Sequence, residues 1–163
     1  MKIFNFFNSL LLCFLIFILC ISYYEEFIYL NEPCSLCILQ RFFIVGIGVP
    51  LTFNITGPIC YKNISGSILS CILGSIVSLY QWSQLLINDG ISYAPKILTL
   101  PMYIWAAMLF FGVAVILLLL SCILQRDVLV KRNLFTTVSC TLFIVMVISQ
   151  IVLTFSKCGL FLC

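Results

Sequence analysis

PMYIWAAMLFFGVAVILLLLSCIL, residues 101–124, contains no charged side chain. As a helix it covers about 36 Å, enough to cross the ~30 Å hydrocarbon core of a bilayer. Four more stretches read the same way. Residues 4–23, 64–87 and 134–155 are uncharged, and residues 37–54 are interrupted only by Arg41. Helix is the expected form, because lipid cannot satisfy exposed backbone groups and the period-2 alternation of a membrane barrel is absent. The connecting pieces are short, with no internal repeat, linker or soluble domain. The expectation is an all-α, polytopic membrane bundle forming one domain over residues 1–163.

Composition agrees. Of 163 residues, 64% are apolar and 8% charged, which excludes an ordinary water-soluble globule at about 25% charged. A chain this apolar also buries too much surface to stay disordered. It has no His, so imidazole acid/base catalysis and His-ligated metal or haem are excluded. A net charge of +3, spread along the chain, gives no nucleic-acid footprint. No metal-cluster spacing, haem attachment motif or nucleotide-binding Gly-rich loop occurs.

The first stretch follows the basic Lys2, but its apolar core exceeds the ~7–15 residues of a signal peptide and no small-x-small site follows, so it reads as a retained helix. The basic residues set the expected orientation. With the N-terminus cytoplasmic, Lys2, Lys62, Arg126, Lys131 and Arg132 lie inside, while Lys96 and Lys157 lie outside. The acids agree: Glu25, Glu26, Glu32 and Asp89 fall outside, and Asp127 inside. Within the bundle, Ser70, Gly74 and Ser78 recur every four residues, flanked by Ser67, Cys71 and Ser75, which marks a close-packing face. Pro50 is expected to kink the second helix, and Pro101 to open the fourth.

One motif carries chemistry. Pro33-Cys34-Ser35-Leu36-Cys37 lies where the first outward loop meets the second helix. Two Cys one helical turn apart can close a small ring that serves as a redox device more often than as a staple. At a helix N-terminus, unpaired N–H groups and the helix dipole favour the thiolate, the species that attacks a disulfide or an electron acceptor. An outward-facing motif also sits where disulfides persist. Arg41 follows Cys37 by four residues, on the same helical face. A charge within a span points to function, either holding the Cys37 thiolate or the oxygen of a bound anionic acceptor; the bland alternative is a snorkelling interfacial Arg. Gln40 beside it is a further candidate for hydrogen bonding a ligand. A membrane quinone suits such a site by elimination, being apolar, able to take two electrons and able to develop oxyanion charge near Arg41.

The run P-C-S-L-C-I-L-Q-R, from Pro33 to Arg41, resembles the motif of the disulfide bond formation protein B family, DsbB with its relative BdbC. The Leu100 to Met102 segment resembles the family as well, so that the likeness reaches to about residue 124. The resemblance implies a four-helix core in a bacterial inner membrane, with the motif facing the periplasm. It implies oxidation of a DsbA-like, thioredoxin-fold dithiol protein, with electrons passed to ubiquinone or menaquinone and no metal or nucleotide cofactor. It makes Cys37 the quinone-proximal Cys, Cys34 its exchange partner, and Arg41 a quinone-site residue.

Two features depart from that pattern. Residues 88–100, the second outward loop, lack the Cys pair that receives electrons from the soluble partner. The stretch 134–155 adds a fifth helix, which brings the C-terminal Cys158 and Cys163 to the side of Cys34 and Cys37. A C-x4-C spacing around Gly159 suits a hypothetical substitute pair; direct attack on Cys34–Cys37 by the partner and a separate Cys-bearing subunit are the alternatives. The six other cysteines, Cys13, Cys20, Cys60, Cys71, Cys122 and Cys140, read as small apolar packing residues. Two other functions compete: a thiol/disulfide carrier delivering reducing equivalents outward, and a small helical subunit without enzymatic activity.

Overall fold

The computed structural model describes residues 2–29, 35–57, 61–87, 96–97, 100–123 and 134–158. Cys34, Cys60, Cys163 and the basic loop with Arg126, Lys131 and Arg132 lie outside the described residues. Five helices form: α1 (Lys2–Tyr29), α2 (Ser35–Thr56), α3 (Tyr61–Ile87), α4 (Met102–Ile123) and α5 (Leu134–Cys158). Each contains a segment long and apolar enough to cross a membrane. The chain is therefore a polytopic helical bundle.

The boundaries differ from the apolar stretches in ways that matter for the site. α1 continues past Tyr23 through Glu25 and Glu26, because acidic residues end an apolar run without ending a helix. α2 starts at Ser35, so Cys37 lies inside its first turn. α5 runs on to Cys158, so Lys157 and Cys158 belong to its last turn. A small antiparallel pair, β1 (Lys96–Ile97) with β2 (Leu100–Pro101), precedes α4, so Pro101 stands just before that helix and faces Lys96. Pro50 lies inside α2, which continues to Thr56.

α2 packs against α1, α3 and α5, while α4 joins through α3. One continuous core results. Leu12, Leu15 and Leu19 of α1 meet Ile44, Ile47 and Leu51 of α2, Cys71 of α3, Phe110, Val113 and Leu117 of α4, and Phe143 of α5. Two close approaches require glycine. The Phe143 ring occupies the place a side chain at Gly48 would take, which seats α5 on α2. A Cβ on Gly74 would lie 2.5 Å from the Phe110 ring, which seats α4 on α3. The remaining surface inverts that of a soluble protein. Phe42 and Phe111 are 67% and 70% exposed, and lipid rather than water must cover them.

The two ends of the bundle carry separate polar layers. At the Asn54 end, Asn63 Nδ2 donates to Asn54 Oδ1 at 2.9 Å and Ser67 Oγ donates to the Ile47 carbonyl at 3.0 Å. Cys13 Sγ and Ser139 Oγ lie 3.3 Å apart and link α1 to α5. The other layer, at the Cys37 end, holds the candidate site.

Candidate functional site

The first turns of α2 lie between α3 on one flank and α1 on the other, and each flank holds a different functional side chain. The short connection between α2 and α3 fixes an antiparallel register, seen in the Gln40–Ser78 and Asn54–Asn63 contacts at opposite ends. That register brings Gln81 beside Cys37. Gln81 Nε2 donates to Cys37 Sγ at 3.8 Å. Cys37 is half-buried in the first turn of α2, where backbone N–H groups have no partner within the helix.

Gln40 stands behind this contact. It is buried, and its Nε2 donates to Ser78 Oγ at 3.1 Å and to Gln81 Oε1 at 2.9 Å. Ser78 Oγ in turn donates to the Gly74 carbonyl at 2.9 Å. The polarity of the chain is consistent from end to end. Because the Gln81 carbonyl accepts from Gln40, its amide N–H groups turn toward the sulfur. The chain of donors thus ends on the sulfur.

Arg41 leaves α2 on the other flank. Its Nε donates to Ser22 Oγ at 2.6 Å and its Nη2 to the Ser22 carbonyl at 3.2 Å, so one α1 residue takes two bonds from the guanidinium. The Tyr23 ring centroid lies 6.0 Å from the Arg41 guanidinium carbon, within cation–π range. Arg41 is half-buried and brings a fixed positive charge about 6 Å deeper than Cys37 along α2. The structure therefore gathers Cys37, Gln40 and Arg41 within the first two turns of α2. It engages the sulfur from α3 and the guanidinium from α1.

Gln81 and Ser22 do not stand out in the sequence, and Ser78 stands out there only as part of a close-packing face. Their signal was available in principle: a polar side chain within an apolar span, at the register imposed by a short hairpin connection. The Tyr103 hydroxyl and Gln150 Nε2 at this end are buried without a hydrogen-bond partner, as are Asn8 Nδ2 and Ser9 Oγ at the other. Cys158 closes α5, but its side chain lies outside the described residues, as do Cys34 and Cys163. Among the described residues, no group of three or more His, Cys, Asp or Glu side chains could hold a metal ion. A depression of about 300 Å³ lined by Lys62, Ile64, Ser65, Ile68 and Ser121 lies at the Asn54 end. Its lining residues on α3 lie about 20–28 Å along the helix from Gln81, too far to take part.

The family model for disulfide bond formation protein DsbB matches residues 5–90, slightly more than half of the chain. The match takes in Cys34, Cys37, Gln40, Arg41 and Gln81, and stops before the Leu100 to Met102 segment, α4 and α5. No curated protein and no solved structure is matched by the chain.

Proposed function

Because the chain belongs to the disulfide bond formation protein DsbB family, we propose that this membrane protein is a quinone-dependent thiol oxidase whose reactive pair is Cys34 and Cys37. The observation that carries the reading is the Gln81 amide donating to Cys37 Sγ, with the Arg41 charge one turn deeper in the same helix. Sulfur able to hold negative charge and a cation at membrane depth are what electron transfer from a dithiol to an apolar acceptor requires.

The proposed cycle balances. A thiolate of a DsbA-like, thioredoxin-fold dithiol protein attacks Cys34 of the Cys34–Cys37 disulfide. The sulfur–sulfur bond breaks and Cys37 leaves as thiolate, held by Gln81. The partner's second thiol then displaces Cys34, so the partner leaves as a disulfide and the pair here is left reduced. A quinone, when bound, supplies the acceptor for two electrons and two protons. The residues present fit that group. Arg41 offers a cationic donor fork beside the Tyr23 ring, and the orphaned, buried Gln150 Nε2 is a donor lacking an acceptor. Arg41 would hold the acceptor's oxygen, Cys37 would face it, and Gln40 would act through Gln81 as a positioning residue rather than as a ligand. Ubiquinone and menaquinone both satisfy this donor set.

The proposed location is a bacterial inner membrane with the Cys37 end facing the periplasm, supported by the basic bias of Lys2, Lys62, Arg126, Lys131 and Arg132 toward the other side. The alternative to direct attack on Cys34 is a relay in which Cys158 and Cys163 take the partner's electrons first and pass them to Cys34, supported by the absence of Cys in the 88–100 loop. The test uses purified full-length protein, a reduced thioredoxin-fold dithiol protein and decyl-ubiquinone. One quinone is expected to be reduced per partner disulfide formed. Partner oxidation without quinone loss, or no reaction, overturns the reading. Release of thiols from an oxidised partner at the expense of a quinol would instead support the outward reducing carrier.

A further inference from the structure

Gln150 is 8% exposed, and its Nε2 is buried with no hydrogen-bond partner. An unmet buried donor is destabilising unless something else accepts from it. Inside a bilayer no water is at hand to accept from it. Gln150 lies on α5, beyond the residues that match the family.

Three contacts fix where this donor sits. Arg41 of α2 meets Ser22 of α1, Cys13 of α1 meets Ser139 of α5, and Phe143 of α5 meets Gly48 of α2. Taking α5 parallel to α1 and antiparallel to α2, the first two contacts put Phe143 level with residue 17 of α1. The first and third put it level with residue 15. The two routes agree within about 3 Å, whereas an α5 antiparallel to α1 would leave a mismatch of about 9 Å. Gln150 follows Phe143 by seven residues, and Arg41 precedes Gly48 by seven. Seven residues are two turns less 20°, so each pair shares a helical face. Where Phe143 faces Gly48, Gln150 faces Arg41 about 10 Å further toward the Cys37 end. The buried positions of α5, Thr136, Ser139, Cys140, Phe143 and Gln150, form one stripe, so Gln150 lies on the bundle-facing side of α5.

We infer that α5 forms a wall of the acceptor site, with Gln150 donating its amide N–H to a carbonyl oxygen of a quinone-class acceptor bound against Arg41. The inference rests on the reading of the site as a quinone site and extends it to a helix outside the family match. Arg41 supplies the charge; Gln150 supplies a neutral donor from the opposite wall. A carbonyl oxygen has two lone pairs and accepts both. The fifth helix is then part of the site rather than an appendage to it.

The experiment titrates decyl-ubiquinone into purified full-length protein in detergent, followed by quenching of protein fluorescence, alongside thermal unfolding of quinone-free protein. Gln150→Leu is expected to weaken binding about tenfold, the loss of one buried donor to an acceptor. Its quinone-free unfolding midpoint is expected to equal or exceed that of the unaltered protein, because an unmet polar group has been removed. Gln150→Met, closer in shape, is expected to behave alike, and Gln150→Asn to bind with intermediate affinity. Binding within twofold of the unaltered protein, or a lower midpoint in both Gln150→Leu and Gln150→Met, overturns the inference and leaves the quinone site standing. Absence of binding by the unaltered protein overturns the quinone site itself.

Discussion

The two ends of the bundle both bury polar side chains, and they use them differently. At the Asn54 end, Asn63 bonds Asn54 and Ser67 bonds the Ile47 backbone, so polar groups bond one another across helices and tie them together. The thiol in this layer, Cys13, is likewise taken up in linking α1 to Ser139 of α5. At the Cys37 end, the hydrogen bonds run in one direction, from Gln40 through Gln81 to a sulfur, while an arginine is held on the opposite flank of the same helix. The first layer ties helices together, and it too leaves buried groups unmet, Asn8 Nδ2 and Ser9 Oγ of α1. The second leaves a reactive atom at its end and a donor, Gln150 Nε2, without an acceptor. The lesson is that burial of polar groups in a membrane bundle does not by itself mark a site. A run of bonds that ends on a reactive atom, beside a fixed charge, does.

Mutations separate the two layers. Cys37→Ser is expected to abolish thiol oxidation while leaving the thermal midpoint within a few degrees of the unaltered protein, as read by quinone loss and by unfolding. Retained turnover would remove the reactive role of this sulfur. Arg41→Ala comes next. Loss of a charged donor of about 1.5–3 kcal/mol corresponds to a rise of roughly tenfold to a hundredfold in apparent KM for quinone. Arg41→Lys should restore only part of this, because an ammonium lacks the planar fork that binds Ser22 twice. A smaller effect is expected from Gln81→Leu. Removing one hydrogen bond of about 1 kcal/mol should slow alkylation of reduced Cys37 by about fivefold. Gln40→Met should produce a weaker version of the same change, since it acts through Gln81.

Asn63→Ala, at the other end, should leave turnover unchanged. It should lower stability by about 0.5–2 kcal/mol, the range measured for interhelical hydrogen bonds in membranes. Loss of turnover in that variant would dissolve the distinction between the layers.

Much of this arrangement was legible in the residues. The five spans follow from uncharged runs long enough for a bilayer, and Cys37 and Arg41 stand out as chemistry placed where apolar residues belong. The partners did not stand out, for a physical reason. Hydropathy gives the length of a helix but not its rotation, so Gln81 and Ser22 remain ordinary polar residues until the register turns them toward Cys37 and Arg41. Ser78 was read as part of a close-packing face, and it also accepts a hydrogen bond from Gln40. Helix ends were displaced where polarity and helix formation part company, as at Glu25 and Glu26. The Lys96–Ile97 pairing with Leu100–Pro101 is too short to show any alternation. Gln150 could be recognised only after packing, because being unpartnered is a property of the assembled bundle.

The most direct test of the central claim follows the thiols themselves. Full-length protein is reduced, freed of reductant under anaerobic conditions, and trapped with an alkylating reagent before and after addition of decyl-ubiquinone. Cys34 and Cys37 are expected to pass from two alkylated thiols to one protected disulfide as one equivalent of quinone is consumed, with the conversion slowed in Arg41→Ala. Thiols that remain fully alkylated in the presence of excess quinone would contradict the account.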